Sequence, residues 1–397
     1  MELVRQSYLY HLWSLLCALY QDSALCRALN AAERWCGREI DTSVLLRVTC
    51  REGAVARAWQ DSFLCRLVSA AVNLPLYLLH RLYLAGQRLF DGSWFANLAF
   101  EMGEETAISE SWLILLLWII PMSRWNNAYN LAAFFLLLLF LCVRGMRDAS
   151  ARLDTVSVGF YPLVFLGAVF LAVPLSAFPG LSARFLLYHG ICALYVLVTV
   201  SAVRDTGDLK RLCAGAGGAV LVSSLYGVYQ RIQGVEVNKS YVDLRYSAGM
   251  PGRIDSFFDN PNTFAQVLIL LLPLLAALFF CAKRWWLRLA AGGVFVLGAA
   301  ALGMTYSRAS WIGIACAAVV FVFLWKPRLI PAFAVVCILC VPLLPSSIWN
   351  RILSIGNTAD SSTASRKYLY EAGLGVIRTS PVTGAGLGID AVQAFIK

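Results

Sequence analysis

Apolar residues in this chain come in long uninterrupted blocks, beyond what the 3.6-residue or alternate spacing of soluble elements requires. From residue 111 onward nine apolar runs follow in series, near 111–123, 128–143, 157–178, 183–203, 212–232, 262–281, 286–304, 309–325 and 329–344. A soluble core does not need runs approaching 20 apolar residues. A bilayer does, because its hydrocarbon is about 30 Å thick. The pattern predicts an all-α, polytopic transmembrane bundle of about nine spans over 111–344. It is followed by an outer-face tail over 345–397. Residues 1–110 read instead as short amphipathic helices. From Phe63 to Phe90, Leu64, Leu67, Val68, Ala71, Val72, Leu78, Leu79 and Leu82 fall near helical spacing. Arg66, Arg81 and Arg88 interrupt them, and Pro75 is expected to break or kink the helix. This region is placed on the cytoplasmic face, either lying on the membrane surface or forming a small cytosolic bundle.

Composition agrees with the membrane reading: the 397 residues are 59% hydrophobic and only 14% charged, against about 45–50% and about 25% in soluble domains. Charge then orients the chain. Residues 1–110 carry ten Arg, no Lys and twelve acidic residues, whereas the remainder carries 23 basic and eleven acidic residues. With the N-terminus inside, the inner connections hold eleven positive charges: Arg144, Arg147, Arg152, Arg204, Lys210, Arg211, Lys283, Arg284, Arg288, Lys326 and Arg328. The short outer connections hold three, Arg124, Arg184 and Arg308. This asymmetry is the positive-inside rule, and it predicts a multi-pass protein of the cytoplasmic membrane. The basic excess therefore speaks for membrane lipids and against nucleic acid as a partner. The scattered cysteines read as small hydrophobes, not as a disulfide frame or zinc site. Residues 8–20 lack the cleavage site of a signal peptide.

Candidate chemistry sits on the outer face. Arg253 lies in Gly252-Arg253-Ile254-Asp255-Ser256-Phe257-Phe258-Asp259-Asn260-Pro261-Asn262, which ends on a helix start. Asn260 suits the cap and Pro261 the first turn. The helix N-terminus with an Arg beside it favours an anion. Arg308, in Thr305-Tyr306-Ser307-Arg308, opens another span. Arg366 and Lys367 lie in a predicted helix from about Thr363 to Arg378 in the outer tail. Three Arg-bearing elements thus reach one side, and the planar guanidinium fork suits phosphate oxygens. The alternative is that these residues bind lipid headgroups or pair with Asp255 and Asp259. Tyr241, Tyr246 and Phe257 could stack on sugars, although interfacial anchoring is the commoner role. Gly215, Gly217 and Gly218 fit close helix packing better than nucleotide binding.

These motifs, with Ser365-Arg366 followed by Ser380-Pro381 and Gly384-Ala385-Gly386-Leu387-Gly388, resemble those of the O-antigen ligase and O-antigen polymerase family over about residues 111–397. The resemblance implies a polytopic, metal-independent glycosyltransferase without cofactor. It would move or polymerise a glycan from an undecaprenyl-pyrophosphate carrier to a glycan or lipid acceptor at the outer leaflet. It implies pyrophosphate contacts at Arg253, Arg308 and Arg366, with Asn260, Asn262, Ser307 and Lys367 in support.

One departure stands against it. The family carries a candidate general-base His after the glycine-rich segment, and this chain has only His11, His80 and His189. His189 is expected to serve helix packing. No catalytic base is assigned, and relative to the family the chain reads as C-terminally incomplete. An outer carboxylate such as Asp255, Asp259, Glu371 or Asp390 could substitute, but beside an Arg cluster its pKa is expected to fall. The rival readings are a lipid-linked glycan transporter or flippase, and a non-catalytic, truncated relative.

Overall fold

A computed structural model describes residues 8–104 (apart from 25, 29, 32, 33 and 35–53), 128–236 (apart from 150), 251–325, 335, 338, 339 and 361–396. Among these every regular element is a helix. The N-terminal part holds α1 (Tyr8–Asp22), α2 (Ala54–Gln60), α3 (Phe63–Ala85), α4 (Gln87–Asp91) and α5 (Trp94–Glu104). The middle holds α6 (Ala128–Arg147), α7 (Thr155–Val158), α8 (Phe160–Ala172), α9 (Pro179–Ala202) and α10 (Thr206–Gln233). The remainder holds α11 (Pro261–Cys281), α12 (Trp285–Met304), α13 (Arg308–Trp325), α14 (Ser361–Thr379) and α15 (Ile389–Ile396). The chain divides into two compact units, Met1–Ala54 with Ile312–Pro345, and Val55–Trp311 with Ser346–Lys397. The first carries α1 and the body of α13. All contacts below lie within the second.

Five described helices are long and apolar enough to cross a membrane: α3, α9, α10, α11 and α12. The all-α polytopic architecture stands, while the expected number of nine spans does not follow from the structure. The runs 111–123 and most of 329–344 lie outside the described residues. The run 157–178 is not one helix, because Gly159 (φ 84) separates α7 from α8, which ends at Ala172 after 13 residues. Pro75 does not break α3, which runs through it from a Ser62 cap whose hydroxyl accepts from the Cys65 N–H.

The tightest packing joins α10, α11 and α12. α10 buries a stripe of small residues, Ala216, Gly217, Ala219, Val220, Ser223, Ser224 and Gly227. Its glycines are closely faced: a Cβ at Gly217 would meet Leu275 at 2.8 Å, and one at Gly298 of α12 would meet Leu272 at 2.8 Å and Val220 at 2.9 Å. Lipid tails are as apolar as Leu, so helices gain by close backbone approach and not by hiding from water. Gly217 accordingly serves packing, as its sequence context predicts. Leu268, Leu272 and Phe264 of α11 are fully buried in the seam.

The helices place their connections at two ends. At one end the Asp154 N–H donates to Ser201 Oγ (2.8 Å), and Arg204 stands 3.9 Å from Asp148. Lys210, Arg211, Lys283 and Arg284 line one cleft, so the basic connections gather together. α10 runs from this end to Gln233, α11 back from Pro261, and α12 returns to Met304. The 251–262 loop and the start of α13 therefore meet at the far end. At about 1.5 Å per residue, 21-residue α11 separates the two ends by roughly 30 Å.

Candidate functional site

The 251–262 loop is held by its neighbours. A Cβ at Gly252 would sit 1.9 Å from the Val235 carbonyl oxygen, so only glycine fits there. Ile254 is fully buried, and its N–H donates to the Met304 carbonyl. Gln230 of α10 clamps the turn with its amide. Nε2 donates to Asp255 Oδ1 (2.9 Å) and to the Ser256 carbonyl (3.2 Å), while Oε1 accepts from the Ser256 N–H (2.8 Å). Ser256 Oγ donates to the Ser223 carbonyl (2.7 Å). Phe257 stacks on Tyr226 at 4.3 Å and Phe258 on Phe264 at 5.6 Å. Phe257 thus has a ring partner within the protein; Tyr241 and Tyr246 lie outside the described residues. Asn260 Oδ1 accepts from the Asn262 N–H (2.9 Å), and Pro261 opens α11, as predicted.

Among the described residues, three that are not glycine adopt positive φ: Ser256 (55°), Asp259 (51°) and Tyr306 (51°). All belong to the two segments that meet here. Such strain persists where surroundings over-determine it and clusters at functional sites. Arg253 joins the segments. It is 8% exposed; its Nε donates to the Thr305 carbonyl (2.6 Å) and its Nη2 to Asn262 Oδ1 (2.6 Å). Ser307 and Ser310 share a hydroxyl hydrogen bond (2.9 Å), and Arg308, three residues after Thr305, is partly exposed at the start of α13. The structure therefore brings Arg253, Asn260, Asn262, Ser307 and Arg308 to one corner. Arg366 and Lys367 stand on α14 with exposed side chains, Lys367 being 3.9 Å from Glu371.

The Asp255 carboxyl departs from expectation. Burial pushes its pKa up, the Gln230 hydrogen bond only partly offsets this, and the Asp259 charge adds to the rise. The expected lowering by nearby Arg residues does not occur at this position, where burial is the largest influence.

The segment after α14 is anchored to the α8–α9 connection. Ser176 Oγ donates to the Ala385 carbonyl (3.0 Å), the Leu387 N–H donates to Ser182 Oγ (3.1 Å), and the two hydroxyls share a 2.8 Å hydrogen bond. Gly384, Gly386 and Gly388 have φ of 64°, 120° and 86°. A Cβ at Gly386 would meet Ser176 Oγ at 2.1 Å. Nothing in the local sequence of Ser176, Ser182 or Gln230 marks these roles, since all three act through contacts distant in the chain. His189 Nδ1 lies 2.8 Å from the Phe185 carbonyl and its ring lies 6.2 Å from Phe165, a packing role as expected.

A family model described as O-Antigen ligase matches residues 293–397. The matched segment runs from within α12 through Arg308, Arg366 and the glycine-rich strap, and Arg253 lies upstream of it. The match is consistent with an O-antigen ligase/polymerase family member. No curated protein and no solved structure matches the chain.

Proposed function

We propose that this membrane protein transfers a glycan, in surface polysaccharide assembly, from an undecaprenyl-pyrophosphate carrier to a glycan or lipid acceptor at the outer leaflet. The observation that carries this reading is the O-antigen ligase match over 293–397, the segment that bears Arg308 and Arg366. In the reaction the acceptor hydroxyl attacks the sugar carbon, the bond to the pyrophosphate oxygen breaks, and negative charge develops on the leaving group. Fixed cations stabilise that charge. Arg308 and Arg366 take this role, with Ser307 and Lys367 in support. Arg253, with Nε and Nη2 committed, sets the Thr305–Arg308 turn and holds Asn262. Asp255 is our candidate base: half-buried, oriented by Gln230, and raised in pKa by burial, it is a stronger base than an exposed carboxylate.

The topology that fits has the basic connections and the N-terminus on the cytoplasmic side. The test is reconstitution of the full chain in vesicles with undecaprenyl-pyrophosphate-linked glycan and an acceptor. A new glycosidic bond, lost on Arg308→Ala, is expected. Movement of the lipid-linked glycan between leaflets without bond formation would overturn the reading in favour of a transporter, and donor binding alone in favour of a non-catalytic relative.

A further inference from the structure

α3 has the length and apolarity of a span, yet its contacts describe a crossing and not a parallel path. Asn73, near its middle, donates from Nδ2 to the Leu153 carbonyl (3.1 Å) and accepts at Oδ1 from the Leu153 N–H (2.8 Å), in the connection beyond α6. Leu76 packs with Leu141, Leu153 and Val198, and its side chain closely faces Gly145. His80 Nδ1 meets the Met146 carbonyl at 2.8 Å. Tyr83 packs edge-on against Phe100 of α5, over which Arg147 stands at 5.7 Å. From Asn73 to Tyr83, α3 advances ten residues, roughly 15 Å. Among the described side chains, Leu76 meets α6 at Leu141 and Gly145 and His80 meets it at Met146, in its last two turns, while Asn73 and Leu76 meet Leu153 beyond its end. Helices running side by side would advance together. α3 instead lies across the end of α6 and beside the end of α9.

That end is where Arg144, Arg147, Arg152, Arg204, Lys210, Arg211, Lys283 and Arg284 gather. The exposed side of α3 carries Leu64, Leu67, Leu74, Leu78 and Leu82, each more than half exposed, spaced as one helical stripe. α4 and α5 extend it with Leu89, Trp94 and Phe95, which are 81%, 70% and 77% exposed. Ser69, Asn73 and His80 line a cavity of about 570 Å³, which Leu74, Arg66, Asp148 and Arg152 also border.

We propose that α3–α5 form an in-plane platform seated in the anionic lipid surface of the leaflet that meets the basic connections. Its leucine stripe contacts the outermost acyl carbons, and Arg66, Arg81 and Arg88 contact headgroup phosphates. α3 does not cross, so residues 62 and 86 lie on one side of the membrane. The partner is a bilayer rich in anionic phospholipid, whose negative surface complements the basic residues at this end.

The test places a fluorescent noncanonical amino acid at Leu64, Leu74 or Leu82 in the full chain. The protein is reconstituted in phosphatidylglycerol–phosphatidylcholine vesicles, and fluorescence is quenched with lipids spin-labelled at graded depths. These positions are exposed, so labelling leaves the packing of α3 intact. The expected result is a common shallow depth at all three. Leu64 and Leu82 are 18 residues apart, so a spanning helix would separate them by roughly 27 Å with Leu74 near the centre. Either that graded pattern or the absence of quenching would overturn the proposal. The readout is independent of glycan transfer.

Discussion

α10 and α3 are both long apolar helices, and they meet their surroundings in opposite ways. α10 buries Ala, Gly and Ser against α11 and α12 and brings Gln230 and Ser223 to a polar loop at its end. α3 keeps five leucines outward and fixes itself through Asn73, Leu76 and His80. The difference teaches that in a membrane protein apolarity does not mark the core. Small residues mark where helices touch each other, and large ones where they touch lipid.

The largest divergence expected between the two regions is chemical. Arg308→Ala removes a cation from the corner and is expected to lower glycan transfer by about 10²-fold or more, as for loss of a transition-state donor. Arg308→Lys rescues poorly because the fork is lost. Arg81→Ala on α3, which removes a donor to Tyr77 Oη, is expected to leave transfer within about twofold. Initial rates in reconstituted vesicles check both, and equal losses would erase the distinction.

The next divergence is steric. Gly252→Ala forces a Cβ onto the Val235 backbone and is expected to destabilise the bundle by about 1–3 kcal/mol or more. Gly293→Ala on α12, with nothing within 4 Å, is the control and is expected to stabilise by up to about 1 kcal/mol. On the platform the comparable lesion is polar. Asn73→Ala leaves the Leu153 N–H without its partner and its carbonyl with the Thr155 N–H alone, and is expected to cost about 1–3 kcal/mol. That loss should appear as faster hydrogen exchange at 151–154, with the 251–262 loop unaffected. Thermal unfolding in detergent measures the totals.

Much of this was legible from residue pattern. The Asn260-Pro261 start of α11, the helix carrying Arg366 and the packing role of Gly217 follow from local rules of capping, periodicity and size. The membrane class follows from run length. What local rules miss are contacts between segments far apart in the chain. Gln230 reads as one polar residue near a helix end, and only the fold turns its amide onto Asp255 and Ser256. Arg253 reads as an anion ligand because it stands beside a helix N-terminus; the fold in addition commits two of its donors to Thr305 and Asn262. Gly159 shortens a predicted span for a similar reason: hydropathy averages over a backbone break that φ alone reveals.

The smallest expected effect separates the regions by the sign of their pH response. Asp255 at the corner is raised in pKa by burial, so its folded form holds a proton more tightly than the unfolded chain. Its contribution to stability is full below the ordinary carboxylate pKa and is lost as pH rises through the raised folded value. Asp154, which caps α7 at the platform end, is lowered: burial raises it, but the Ser157 hydroxyl and the N–H groups of Ser157 and Val156 outweigh that. Its contribution is present above the ordinary carboxylate pKa and is lost as pH falls through the lowered value. Asp255→Asn should therefore flatten the decline in the unfolding midpoint above the carboxylate range, and Asp154→Asn should flatten the decline below it. In transfer assays the ionised Asp255 is the active form, so the wild-type rate should climb with pH through the same raised value, while Asp255→Asn stays low throughout. A pH–rate profile unchanged by Asp255→Asn would remove Asp255 as the base and leave its carboxyl as a structural partner of Gln230.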